Sequence, residues 1–156
     1  MKIADPSPLN ENQLSKIILD ACFKIHTRLG PGLLETVYEV VLAHELRKAG
    51  VIVARQVAIP IRYDELVFDE GFRADLIVND SVIVELKSVE SLSRVHSKQV
   101  LTQLRLSDKK LGLLINFGEL HLKNGIERIV NGLPDKSHPS FGAKLLSFFA
   151  SFALFA

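Results

Sequence analysis

The sequence predicts an α/β layer fold with a mixed sheet, and three observations carry that expectation. Apolar residues recur at helical spacing from Asn12 to Ala49, strand-like segments follow, and a continuous apolar strand stands behind a later helical stretch. Helices, a run of mostly antiparallel strands, a crossover helix and one more strand form the order from which helix-on-sheet layers are built.

The elements follow in order. Residues 1–11 are polar with two prolines and read as a loose lead-in. From Asn12 to Leu29, the residues Leu14, Ile17, Ile18, Ala21, Cys22, Ile25 and Leu29 mark one helix face. Gly30-Pro31-Gly32 breaks that helix. A second helix is expected from Leu33 to Ala49, with Leu34, Val37, Tyr38, Val41, Leu42 and Leu46 on one side and Gly50 as its cap. Strands are expected at Val51–Val57, Ala58–Tyr63 and Leu66–Phe68, and Pro60 marks an edge or bulged strand. A hairpin then spans Arg73–Lys87, Ser91–Leu106 reads as a helix and Leu111–Phe117 as a buried strand. Glu119–Leu122 and Ile126–Val130 are too short to assign.

Composition sets the outer bounds. A chain of 156 residues fits one domain that buries roughly 70% of its unfolded surface. The expected domain spans residues 12–133, with a linker and apolar tail at 134–156. The lone Cys22 excludes an internal disulfide, fits a reducing compartment and lies on an apolar helix face, where packing is its role. The N-terminus shows no basic-then-apolar signal pattern, so cytoplasm is the expected location. A net charge of +1 gives no global attraction to nucleic acid. Locally, Lys87, Arg94, Lys98, Arg105, Lys109 and Lys110 outnumber Glu90 and Asp108, a density that supplies phosphate contacts or simply a solvated helix face. The tail from Phe141 to Ala156 is apolar but too short for a comfortable membrane span. It is expected to lie outside the fold, packing on a second copy or another protein or staying disordered, with membrane-surface anchoring the lesser reading.

The hairpin carries the chemistry. Asp75, Glu85 and Lys87 stand inside two otherwise apolar strands, and an unpartnered buried charge costs several kcal/mol. Residues two apart on a strand share a face, so Glu85 and Lys87 point together, away from Val82, Val84 and Leu86. Asp75 is expected with Arg73 and Ile77, opposite Ala74, Leu76 and Val78. Pairing apolar face with apolar face sets Asp75 across from Glu85, which requires an odd loop, most simply Asn79-Asp80-Ser81. Two carboxylates with a main-chain carbonyl, that of Leu86, suit Mg²⁺, a hard cation that keeps several waters. Lys87 beside such an ion can orient or deprotonate the attacking water or stabilise charge on a phosphate. A surface salt-bridge cluster is the competing reading of the three residues alone. Glu35 and Tyr38, three apart on a helix, share a face behind Gly32. Glu35 in a first turn also suits the helix dipole without any further role.

Taken together, Gly32-x-x-Glu35-x-x-Tyr38, the preceding His26 and Leu29-Gly-Pro-Gly32, Gly71-Phe-Arg-Ala-Asp75-Leu76 and Val84-Glu85-Leu-Lys87 resemble the GxxExxY proteins of the PD-(D/E)xK nuclease-like superfamily. Leu114-Ile-Asn-Phe117 and Gly125-Ile-x-Arg-Ile-Val130 extend the likeness over about residues 12–131. The resemblance implies a restriction-endonuclease-like core, a mixed four- to five-stranded sheet flanked by helices, with the site at one sheet edge. It implies Glu35 as the helix carboxylate, Asp75 and Glu85 as metal ligands, Lys87 as the catalytic lysine and Gln99 as the glutamine on the following helix. Ala74 replaces the proline of the superfamily's name, and Gln103 stands where relatives often carry an aromatic. The implied cofactor is Mg²⁺, with Mn²⁺ as a substitute, and the implied partner is nucleic acid, DNA ahead of RNA. Tyr38, Arg73, Arg94, His96 and Lys98 are the candidate substrate-binding residues.

His26 is expected to be structural, with a hydrogen bond to Glu35 as its functional alternative. His44, His121 and His138 show no metal-ligand spacing, and there is no phosphate-binding glycine loop, zinc motif or dinucleotide fingerprint. Two functions follow. One is a Mg²⁺-dependent nuclease. The other is a catalytically silent nuclease-like module serving as a nucleic-acid or protein adaptor.

Overall fold

A computed structural model describes residues 8–133. Helix α1 spans Glu11–Leu29 and opens on a reciprocal cap. The Asn10 side chain accepts the Gln13 N–H at 3.0 Å, and the Gln13 side chain accepts the Asn10 N–H at 2.9 Å. It stops at Gly30, whose φ of 74° suits a residue without Cβ. Helix α2 follows at Glu35–Lys48.

Strands β1 (Val53–Tyr63) and β2 (Leu66–Val78) form a long antiparallel ribbon. Two separate strands were expected where β1 runs unbroken, and the short Leu66–Phe68 segment is the start of β2. Ladder pairing between the two carries them through polar stretches that show no alternation of their own. Pro60 lies on the edge strand, within a register shift between Ile59 and Ile61. Strand β3 (Val82–Lys87) leads into helix α3 (Arg94–Leu106) and strand β4 (Leu111–Asn116). A 3₁₀ turn at Leu122–Gly125 and strand β5 (Ile126–Val130) close the described chain.

The sheet order is β1-β2-β3-β4-β5, with β3 and β4 parallel and every other pair antiparallel. The parallel pair needs a crossover, and α3 supplies it. Two apolar clusters show helices on both faces. Leu14, Ile18, Cys22 and Ile25 of α1 and Tyr38, Leu42 and Leu46 of α2 pack with Leu76, Val78, Val82, Val84 and Leu86 on one side. Val100 and Leu104 of α3 pack with Ile59, Ala74, Ile77, Ile83 and Leu114 on the other. All six residues of β4 are buried, as a strand covered on both faces requires. At Gly112 a Cβ would stand 2.5 Å from Val100 Cγ1, so glycine lets α3 lie close on the sheet.

The hairpin register follows the apolar pattern. Leu76 pairs with Val84, Ile77 with Ile83 and Val78 with Val82, around the loop Asn79-Asp80-Ser81. Asn79 and Asp80 both hold positive φ, which these residue types tolerate. One expectation is corrected. Ala74 packs with Ile77 and not with Leu76 and Val78. The β1–β2 ladder is interrupted between Arg55–Leu76 and Val57–Ala74, at Gln56 with φ 51°, and simple alternation does not survive that break.

Cys22 is fully buried, and burial pushes its thiol well above the ordinary range, consistent with a packing role. Among the described residues, no helix is long and apolar enough to cross a membrane. The apolar tail expected at 141–156 lies outside the described residues.

Candidate active site and metal centre

The site forms where the β2–β3 ladder stops. Beyond Leu76–Val84 the next cross-strand positions are Asp75 and Glu85. Asp75 Oδ2 accepts the main-chain N–H of Leu86 at 2.8 Å, so a carboxylate takes over the donor that a continuing ladder would have satisfied. Burial pushes the Asp75 carboxyl up to about 6. The negative charge of Glu85 adds to the rise, the Leu86 N–H partly opposes it, and Glu39 and Lys87 exert smaller opposing effects.

Glu85 is buried near the end of β3. Its Oε1 accepts from Lys87 Nζ at 3.3 Å, and its Oε2 accepts from Gln103 Nε2 at 3.3 Å. Lys87 is itself only 20% exposed at its side chain. Its carbonyl accepts the Phe117 N–H at 2.7 Å, which fixes the backbone that carries the amine. The buried Asn116 side chain staples the next turn: its oxygen accepts the N–H groups of Val89 and Gly118, and its nitrogen donates to the Val89 carbonyl.

Glu35 approaches the same strand end, where its carboxylate accepts the Ser88 N–H at 3.2 Å, one residue past Lys87. The Ser88 hydroxyl donates to the Leu33 carbonyl at 2.6 Å. Tyr38 lies beneath, fully buried and stacked on Phe117 with ring centroids 4.2 Å apart. Its hydroxyl donates to the Gly30 carbonyl at 2.6 Å and accepts the Leu33 N–H at 3.1 Å. Tyr38 therefore moulds the Gly30–Leu33 loop from inside, while Glu35 stays exposed at its rim.

Other candidates sit further out. Arg73 is exposed and forms a two-point pair with Glu70, at 2.6 Å and 2.5 Å. Arg94, Lys98 and Gln99 are exposed on α3. His96 Nδ1 accepts the Ser93 N–H at 3.1 Å and so helps cap that helix. The glutamine brought to Glu85 is Gln103, one turn beyond Gln99. His26 bonds the Glu119 carbonyl at 2.8 Å, the structural alternative, and not Glu35.

Glu39 was not anticipated. It is 3% exposed on α2, and its two oxygens accept from Arg55 Nε at 2.9 Å and Gln56 Nε2 at 2.8 Å. Gln56 Nε2 also lies 3.4 Å from Asp75 Oδ1, so a polar chain links Glu39 to Asp75. The available signal was a charged residue one turn from Leu42 and Ala43 on the buried side of a helix.

A family model described as the PD-(D/E)XK nuclease superfamily matches residues 12–129. The chain belongs to this superfamily. Comparison with curated proteins and with solved structures gave no match. The mixed five-stranded sheet flanked by helices is consistent with that membership. PD-(D/E)XK nucleases generally use divalent metal ions, and the donor set here fits one. Asp75 and Glu85 stand one step beyond the last β2–β3 pair, and the negative charge of Glu85 raises the Asp75 carboxyl, a situation that a cation relieves. Among the described residues no group of three or more His, Cys, Asp or Glu is gathered for a metal.

Proposed function

We propose that the protein is a Mg²⁺-dependent nuclease that hydrolyses phosphodiester bonds in nucleic acid, with Mn²⁺ able to substitute. The observation that carries this reading is the placement of Asp75 and Glu85 one step beyond the last β2–β3 pair, with Asp75 accepting the Leu86 N–H and Lys87 bonded to Glu85. In this reading Asp75 and Glu85 hold the ion, joined by the Leu86 carbonyl and water. When bound, the ion supplies Lewis acidity toward the phosphate and lowers the pKa of water.

The side chains supply the rest. Lys87, half-buried at the end of β3, stabilises negative charge that develops on the phosphate, or orients the attacking water. Glu35, tied to Ser88, borders the site as the helix carboxylate. Exposed Arg94 and Lys98 at the start of α3 provide phosphate contacts that position a strand without reading its sequence. Gln99 and His96 lie on the same helix start and complete the proposed substrate face, with Arg73 released from Glu70 when a phosphate competes. Tyr38 acts through the loop it supports.

The test is cleavage of plasmid DNA, single-stranded DNA and RNA with Mg²⁺ or Mn²⁺. The wild type is expected to cut at least one of them, DNA first, while Asp75→Ala is expected to abolish cleavage and Lys87→Ala to slow it by about 10²–10³-fold, both remaining folded. Unchanged cleavage in both variants overturns the proposal. Metal-independent binding without cleavage by any of the three proteins would favour the adaptor reading.

A further inference from the structure

Gln103 is the polar side chain of α3 that the fold turns inward, at 2% exposure, beside the apolar Val100 and Leu104. Its nitrogen donates to Glu85 Oε2 at 3.3 Å. Its oxygen is buried and has no hydrogen-bond partner, the one such side-chain atom among the described residues. An ionised carboxylate only accepts, so the amide nitrogen must face Glu85 and the oxygen is left over. An unpaired buried acceptor is costly, and leucine or methionine would fill the space without it. Packing therefore does not account for glutamine at this position.

Glu85 does account for it. Lys87 reaches one carboxylate oxygen from the strand, and Gln103 reaches the other from the helix behind. A ligand carboxylate held by hydrogen bonds on both oxygens cannot rotate freely, and such supporting partners set metal affinity. We infer that Gln103 is a positioning residue of the metal centre, which holds the Glu85 carboxylate in its ion-binding orientation and carries an unsatisfied oxygen as the cost. This rests on the reading of Glu85 as a metal ligand.

The experiment measures three quantities on the full chain: the apo melting temperature, Mn²⁺ affinity by calorimetry, and the electron paramagnetic resonance spectrum of bound Mn²⁺. The proteins are wild type, Gln103→Leu, Gln103→Met and Glu85→Gln. Either Gln103 variant is expected to melt at or above wild type, bind Mn²⁺ about 10–100-fold more weakly and change the line shape of the bound ion. Methionine, unbranched and flexible, serves if leucine does not fold. Wild-type affinity and line shape in the folded Gln103 variants overturn this inference alone, provided that Glu85→Gln weakens binding. Lowered melting temperatures in both, with the Mn²⁺ spectrum unchanged, make Gln103 a structural residue and also overturn it. No Mn²⁺ binding by wild type, or binding indifferent to Glu85→Gln, removes the metal reading and this inference with it.

Discussion

Asp75 reaches from β2 to accept the main-chain N–H of Leu86 at 2.8 Å, the residue between Glu85 and Lys87. One contact thereby ends the ladder, fixes the Asp75 rotamer and sets a carboxylate level with the Glu85–Lys87 pair. A surface salt-bridge cluster would not need a half-buried aspartate whose carboxyl is pushed up to about 6 by partial burial and a neighbouring negative charge. The arrangement is strained electrostatically in a way that an ion would relieve.

The first prediction concerns pH. The folded Asp75 pKa, about 6, lies above its ordinary value of 3.8. Its contribution to stability is therefore fully present below about pH 4 and is lost as pH rises through 6. Asp75→Asn keeps an oxygen for the Leu86 N–H and removes the charge. The metal-free variant is expected to be more stable than wild type at pH 7.5 by roughly 1–2 kcal/mol after solvent screening, with the difference vanishing near pH 4. Denaturant melts at the two pH values check this. A variant less stable than wild type at pH 7.5 would mean that Asp75 is stabilising without an ion.

Lys87→Ala separates chemistry from ion binding. Removing the amine leaves Glu85 bonded to Gln103, so Mn²⁺ binding is expected to survive. The cleavage rate is expected to fall by about 10²–10³-fold, the scale of one lost electrostatic stabiliser. Single-turnover cleavage at saturating Mn²⁺ measures it.

Glu39→Ala tests the polar chain behind Asp75. It strips the partner from Arg55 and frees Gln56 to swing from Asp75. A loss of about 1–3 kcal/mol in unfolding free energy is expected, with Glu39→Gln milder because one amide oxygen still accepts. Thermal unfolding of the two variants provides the comparison.

Tyr38→Phe keeps the stack on Phe117 and deletes the hydroxyl that bridges Gly30 and Leu33. It is expected to cost about 1–2 kcal/mol. It should also speed amide exchange at Leu33, which loses its acceptor, and hydrogen exchange at that residue reads it directly.

The hairpin register was legible because two strands with apolar faces admit only one pairing, and a slip by one residue would expose every core side chain. Helices α1 and α2 were legible from spacing alone. The partners behind the site were not. Gln99 and Gln103 lie one helical turn apart, and which one meets Glu85 depends on how α3 is rotated and seated over Gly112, a tertiary property. Glu39 looked like an ordinary surface acid until Arg55 and Gln56, from a strand with little apolar pattern, arrived beside it. The break in alternation at Ala74 coincides with a gap in the ladder at Gln56, a left-handed residue on the partner strand whose identity did not announce it.

Titrating Mn²⁺ into wild type and Glu85→Ala by calorimetry tests the proposed metal centre most directly. Saturable binding is expected in wild type and is expected to be lost in Glu85→Ala, whose far-ultraviolet circular dichroism is retained. Equal binding in the two proteins, or none in wild type, would contradict the proposed centre.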